Sequence, residues 1–265
     1  MSEDAFLQLP THRLRYRIDG ASGDTPAPWL VFCNSLGTDL GMWDAQMSEL
    51  GRQFRLLRFD CRGHGRSTTP PAPYSLADLG GDVLALMDAL GIARAHFCGL
   101  SIGGLTGQWL GIHAGARFDK IVLCATAARI GTAEGWDARI AAVRASGLDA
   151  LTAATAERWF TPAFTAGNTG LVAQILAAFV QVDPEGYVGC CAALAGADLR
   201  QQLGQIANPV LAISGADDPV CPPSELRSIA DRVETGHHVS LPGRHIVNIE
   251  SEQAFNAQVL NFLAG

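Results

Sequence analysis

Across 265 residues, no stretch approaches the roughly 20 uninterrupted apolar side chains that a membrane-spanning helix needs. An excess of positive charge is also missing. Lys and Arg number 19 against 26 Asp and Glu, a net charge of −7. A chain of that sign has no bulk attraction for phosphate backbones or anionic lipid, which argues against nucleic acid or a membrane surface as a partner. The seven cysteines contain no Cys-x-x-Cys, and an odd number cannot pair completely. Cys33, Cys98 and Cys124 fall in apolar runs, where a thiol acts as a small hydrophobe. A reduced, cytoplasmic protein without a zinc site is therefore expected. The opening Met1-Ser2-Glu3-Asp4 is acidic, is not followed by a long apolar run, and does not read as a signal peptide. Repeats and low-complexity segments are absent too.

What is present is an apolar share of 48%, ample for a buried core. Short apolar runs read as strands at Arg13–Ile18, Trp29–Cys33, Phe54–Phe59, His96–Cys98, Lys120–Cys124, Val210–Ile213 and His238–Leu241. Helical patterns lie between them at Met42–Leu50, Leu76–Leu90, Ile102–His113, Ser224–Asp231 and Glu252–Leu263. Strand–helix alternation requires crossover connections, and so predicts an α/β protein with a largely parallel sheet covered on both faces. The first strands follow one another without helices, which predicts an antiparallel start.

From about Thr132 to Ala197 the alternation stops. Helical stretches are expected at Trp136–Ala145, Ala150–Phe160, Leu171–Phe179 and Tyr187–Leu194, with no strand among them. The chain thus divides into a core of residues 1–131 and 198–265 and an inserted helical lid, 132–197, over the carboxyl edge of the sheet. Trp136, Trp159, Phe160, Phe164, Tyr187 and Arg139 give that insert more aromatic and cationic character than a spacer needs.

Gly99-Leu100-Ser101-Ile102-Gly103 sits between a predicted strand and a predicted helix, the setting of a nucleophile elbow. There Ser101 would occupy a strained turn, flanked by glycines that avoid clashes, at a helix N-terminus that favours negative charge. A serine hydroxyl needs a base to take its proton and a carboxylate to orient that base. In the order expected of this elbow, the acid follows the strand at Val210–Ile213 and the base follows the last strand. Asp217 and Asp218 both stand at the first place, and Asp218, directly before Pro219, is preferred. His245 alone of seven histidines stands at the second, whereas His64, in the turn Asp60-Cys-Arg-Gly-His-Gly65, reads as scaffold. The oxyanion donors expected are the backbone N–H of Ile102, next to the nucleophile, and that of Leu36 in the loop Asn34-Ser-Leu-Gly37. Gly63-His-Gly65 lacks the third glycine of a dinucleotide loop, since residue 68 is Thr.

On these and narrower segments the chain resembles the α/β-hydrolase superfamily, and within it the 3-oxoadipate enol-lactonases. The matching stretches are Asn34-Ser-Leu-Gly-Thr-Asp-Leu-Gly-Met-Trp43-Asp44, Asp60 to Gly65, His96 to Gly104, Thr126 to Gly131, Trp136-Asp-Ala-Arg-Ile140 and Gly186-Tyr-Val-Gly-Cys-Cys191. Cys61 and Ile102 depart from the Thr and Met usual in that family, and many hydrolases of the superfamily carry His-Gly where this chain has Asn34-Ser35. The resemblance implies an α/β-hydrolase fold and hydrolysis of a small anionic enol-lactone, with no metal or organic cofactor. Arg139, which shares a helix face with Trp136, is the expected contact for the substrate's acetate arm, and Trp43, Trp136 and Trp159 are expected to wall the pocket. A carboxylesterase or a carbon–carbon bond hydrolase could use the same three residues. A small-molecule receptor on the same fold is the alternative outside catalysis.

Overall fold

The structure is a computed structural model that describes residues 3–21 and 27–265; Met1 and Ser2, part of the N-terminal reading above, lie outside the described residues. Among the described residues eight strands form one sheet: β1 (Ala5–Gln8), β2 (Arg13–Gly20), β3 (Trp29–Cys33), β4 (Arg55–Phe59), β5 (Ala95–Leu100), β6 (Phe118–Cys124), β7 (Val210–Gly215) and β8 (Gly236–Leu241). Their spatial order is β1-β2-β4-β3-β5-β6-β7-β8. The β1–β2 and β2–β4 pairings are antiparallel, and every later pairing is parallel.

The central strands are buried on both faces, which is why they read as continuous apolar runs. Successive side chains supply opposite layers. Val31, Phe97, Ile121 and Leu123 enter one apolar cluster, while Leu30, Phe32, Cys98, Val122 and Cys124 enter the other. Helices α2 (Leu76–Ala89), α3 (Ile102–Ala114) and α9 (Pro223–Ala230) complete the first layer through Val83, Leu86, Leu105, Leu110, Leu226 and Ile229. Helices α1 (Asp44–Leu50) and α11 (Glu252–Ala264) complete the second through Leu50, Phe255, Val259 and Leu263.

Between β6 and β7 the chain runs through α4 (Ala133–Ser146), α5 (Thr152–Trp159), α6 (Pro162–Gly167), α7 (Thr169–Val180) and α8 (Pro184–Gly196). Thr132 caps α4 by accepting from the Gly135 N–H, and Asp183 caps α8 from the residue before Pro184. Helix α8 docks on the core through glycine. A Cβ on Gly186 would lie 2.4 Å from the Gly63 Cα, and one on Gly189 the same distance from the Tyr74 ring. That contact gives the Gly-Tyr-x-Gly-Cys-Cys segment a packing reason.

Several boundaries differ from the sequence reading. The expected helix from Met42 begins instead as a 3-10 turn, Leu40–Trp43, capped by Asp39. Strand β5 runs two residues beyond Cys98, to Leu100, because both are buried against β6. Helix α6 and the short α10 (Val247–Glu250) were not expected, being too brief to show a 3.6-residue period.

Candidate active site

Strand β3 lies between β4 and β5, so the connection from β3 runs to β4 on one side while that from β5 runs to β6 on the other. Open α/β sheets take ligands at such a switch point, beyond the strands' carboxyl ends. The loop after β3 and the turn after β5 meet there.

Ser101 is the one residue between β5 and α3 and has φ 60°, ψ −117°. Among the described residues only Ser101 and Ala125 are non-glycines with positive φ, a conformation that costs an L-residue energy and persists only where the surroundings enforce it. They do so here. The Ser101 N–H donates to the Cys124 carbonyl at 2.9 Å, and the Ser101 carbonyl accepts from the Thr126 hydroxyl at 2.8 Å. A Cβ on Gly99 would lie 2.2 Å from the Gly103 carbonyl oxygen, and one on Gly103 would lie 2.2 Å from that of Cys33. Both glycines are therefore demanded by backbone approaching backbone.

His245 lies between β8 and α10, and its Nδ1 is 2.8 Å from Oδ2 of Asp218, just past β7. Both are buried. The other Asp218 oxygen accepts from the N–H groups of Val220 (2.8 Å) and Cys221 (3.1 Å). The carboxylate thus fixes Nδ1 as the protonated nitrogen and leaves Nε2 as the basic one. Asp217 is exposed and is not the hydrogen-bond partner of His245; its N–H donates to the Gly243 carbonyl at 3.0 Å. Asp218, Cys221 and His245 are the group of close potential metal donors found among the described residues. Burial and the neighbouring Asp218 push the Cys221 thiol well above its usual range, so it stays protonated, while both Asp218 oxygens are already engaged.

Ser101 and His245 line one cavity of about 290 Å³, together with Leu36. The Ile102 N–H is the first of helix α3 and has no acceptor within the helix. The Leu36 N–H meets no protein acceptor among the described residues either. The loop presenting Leu36 is held by His64, whose Nε2 accepts from the Gly37 N–H at 3.0 Å while Nδ1 donates to the Arg62 carbonyl at 3.2 Å. Only a neutral imidazole can do both, and complete burial lowers the His64 pKa from 6.5 to about 4.

The cavity wall also contains Trp136, Arg139 and Trp159, and with them Arg158, which the sequence reading did not single out. Trp43 is a correction. It is fully buried beside Phe32, and its indole N–H donates to Asn34 Oδ1 at 2.9 Å, so it supports the loop from the core and does not face the cavity. The buried arginines of the core are neutralised, Arg62 by Asp82 and Arg58 by Asp19 and Asp44, whereas Arg139 and Arg158 are half-buried. Among the described residues, Arg139 and Arg158 form no ion pair. Their hydrogen-bond partners are neutral hydroxyls, Tyr187 for Arg139 (3.3 Å) and Thr155 for Arg158 (3.4 Å). Burial, and then the charge of Arg139, lower the pKa of Arg158. Two unpaired guanidiniums in one small cavity call for an anion. The Arg158 signal in the sequence was weak, a lone arginine beside Trp159 on a short helix.

A family model for the α/β hydrolase fold matches residues 28–157. Over 237 residues, 89% of each chain, the protein is 44% identical to 3-oxoadipate enol-lactonase 2 of Acinetobacter baylyi, and it is 42% identical to enol-lactonase 1 of the same organism over 88% of each. The chain belongs to the α/β-hydrolase family. The structure of an enol-lactonase from Burkholderia xenovorans LB400 superposes with a TM-score of 0.96 at 44% identity, covering 98% of this chain and 100% of that one. A hydrolase from Pseudomonas aeruginosa superposes with a TM-score of 0.95, also at 44% identity, over 99% and 98% of the two chains.

Proposed function

We propose that this carboxylic ester hydrolase opens 3-oxoadipate enol-lactone to 3-oxoadipate, in the cytoplasm, as a step of bacterial aromatic-compound catabolism. The observation that carries this reading is a cavity in which Ser101 and His245 share a wall with the unpaired Arg139 and Arg158. The enol-lactonase relatives support it.

In this mechanism Ser101 Oγ attacks the ring carbonyl as its proton passes to His245 Nε2, and Asp218 steadies the imidazolium that results. The N–H groups of Leu36 and Ile102 receive the oxyanion. As the tetrahedral intermediate collapses, the ring C–O bond breaks and the enolate oxygen leaves. His245 gives the proton it took from Ser101 to the leaving enolate oxygen, so the imidazole is neutral again and the enol tautomerises to the ketone. His245 then takes a proton from water, which attacks the acyl group and releases Ser101 with a second carboxylate on the product. Arg139 and Arg158 hold the free acetate arm, and Trp136 and Trp159 wall the ring. Residues 132–197 act as the lid on a core of 1–131 and 198–265, and they contribute both arginines.

Steady-state turnover of enzymatically generated enol-lactone, set beside phenyl acetate, tests the reading. The lactone should be the better substrate by kcat/KM, and Ser101→Ala should abolish at least 1,000-fold of that rate in a folded protein, in line with loss of a triad member. Comparable turnover of both substrates would indicate a general carboxylesterase.

A further inference from the structure

The backbone on either side of His245 is tied to the insert, and one carboxylate makes the joint. Glu250, at the end of α10, accepts from the Arg244 N–H at 2.9 Å with Oε2 and from the Thr161 N–H at 3.1 Å with Oε1, which also accepts from the Thr161 hydroxyl. On the other side of His245, the Ile246 N–H donates to the Trp159 carbonyl at 3.1 Å. The Arg244 guanidinium adds bonds to the carbonyls of Glu157 and, at 3.4 Å, Phe160. Residues 244 and 246 are therefore both bound to 157–161, the stretch that carries Arg158 and Trp159 into the cavity wall.

Three features mark Glu250 as a built joint. It forms no ion pair among the described residues, so its charge is directed at backbone donors. Its two oxygens serve Arg244, 6 positions away in the chain, and Thr161, 89 positions away. Gly243, at φ 120°, clears its path, since a Cβ there would lie 3.0 Å from the Glu250 carboxyl carbon.

We propose that Glu250 is a positioning residue, which clamps the His245 loop to the 157–161 segment so that the base and the carboxylate-binding wall keep one geometry. The role rests on the triad and carboxylate site assigned above. Anion binding at Arg158 occurs one residue from the Trp159 carbonyl that holds Ile246, and Glu250 closes the second link of the same frame. Without it His245 keeps Asp218 but loses a tie that sets its place in the cavity it shares with Ser101, and a displacement of about 1 Å at a reacting group costs roughly a hundredfold in rate.

The test is steady-state kinetics of Glu250→Ala and Glu250→Gln on the enol-lactone and on phenyl acetate, with thermal unfolding of each protein. Glu250→Ala should lower kcat about a hundredfold on both substrates, with KM for the lactone within about threefold. Glu250→Gln keeps one acceptor oxygen and should fall between Ala and wild type. A folded Glu250→Ala with wild-type kcat, or one whose KM rises while kcat holds, overturns the proposal. If Glu250→Ala does not fold, Glu250→Gln decides alone, and wild-type kcat in that variant overturns it. Wild-type enzyme that turns over phenyl acetate but no lactone would sink the substrate reading instead, and the phenyl acetate kcat would still judge Glu250.

Discussion

Replacing His64 by glutamine separates the neutral-imidazole requirement from every other acid-sensitive group in the protein. The folded-state pKa of His64 is lowered to about 4 by burial, from 6.5 when exposed. Between those values the unfolded chain binds a proton that the folded chain excludes. Folding stability from this group is complete above about pH 6.5 and is lost as pH falls toward 4. A difference of 2.5 units at 1.36 kcal/mol per unit makes the total about 3 kcal/mol, with most of it gone by about pH 4.5. Glutamine can still accept from the Gly37 N–H but cannot titrate. His96 and His238, also held low by burial, remain in both proteins and cancel in the comparison. Urea unfolding followed by tryptophan fluorescence should show wild type losing about 2.5–3 kcal/mol more than His64→Gln between pH 7 and pH 4. Coincident pH dependence for the two proteins would mean that His64 is not kept neutral, and the account of the Leu36 loop would fail with it.

Arg139→Ala and Arg158→Ala should each lower kcat/KM on the lactone by about 10- to 150-fold, the worth of a charge-assisted hydrogen bond at about 1.5–3 kcal/mol. Phenyl acetate turnover should stay within about threefold, and equal losses on both substrates would remove the arginines from carboxylate binding. Gly103→Ala places a Cβ 2.2 Å from the Cys33 carbonyl oxygen. Backbone cannot swing aside, so the variant should lose at least about 3 kcal/mol, read as a lower urea midpoint, and an unchanged midpoint would refute the close approach. Gly186→Ala should separate α8 from the Gly63 turn, with a loss of about 1–3 kcal/mol seen by thermal unfolding; an unchanged melting temperature would show that the contact is slack.

The elements were legible because period and punctuation are local. Alternate residues of β3 and β6 divide between two clusters, and Gly99 to Gly103 stand around a serine because a tight strand-to-helix turn leaves no room for a Cβ. The choice between Asp217 and Asp218 was not local. They are neighbours in the chain, and only the path of the turn after β7 buries one against His245 and leaves the other exposed. Trp43 and Trp159 were equally plausible wall residues by type, yet the indole of Trp43 found its partner in Asn34 beneath the loop. Arg158 carried only a weak signal. An arginine that lacks an acid is recognised only when every residue around it is known, and in the sequence it stands next to Glu157, which does not pair with it. The Glu250 joint unites Thr161 with Arg244 and left no pattern that a window of neighbouring residues could show.

By itself, then, the order of residues determined the strands, most helices, the elbow and the chemical types available to it, because these follow from side-chain volume, polarity and backbone freedom within a few positions. Tertiary structure alone decided which charges stay unpaired, which ring faces the cavity and what holds the His245 loop in place. Those properties belong to groups brought together across the chain, and their energies depend on surroundings that no short segment contains.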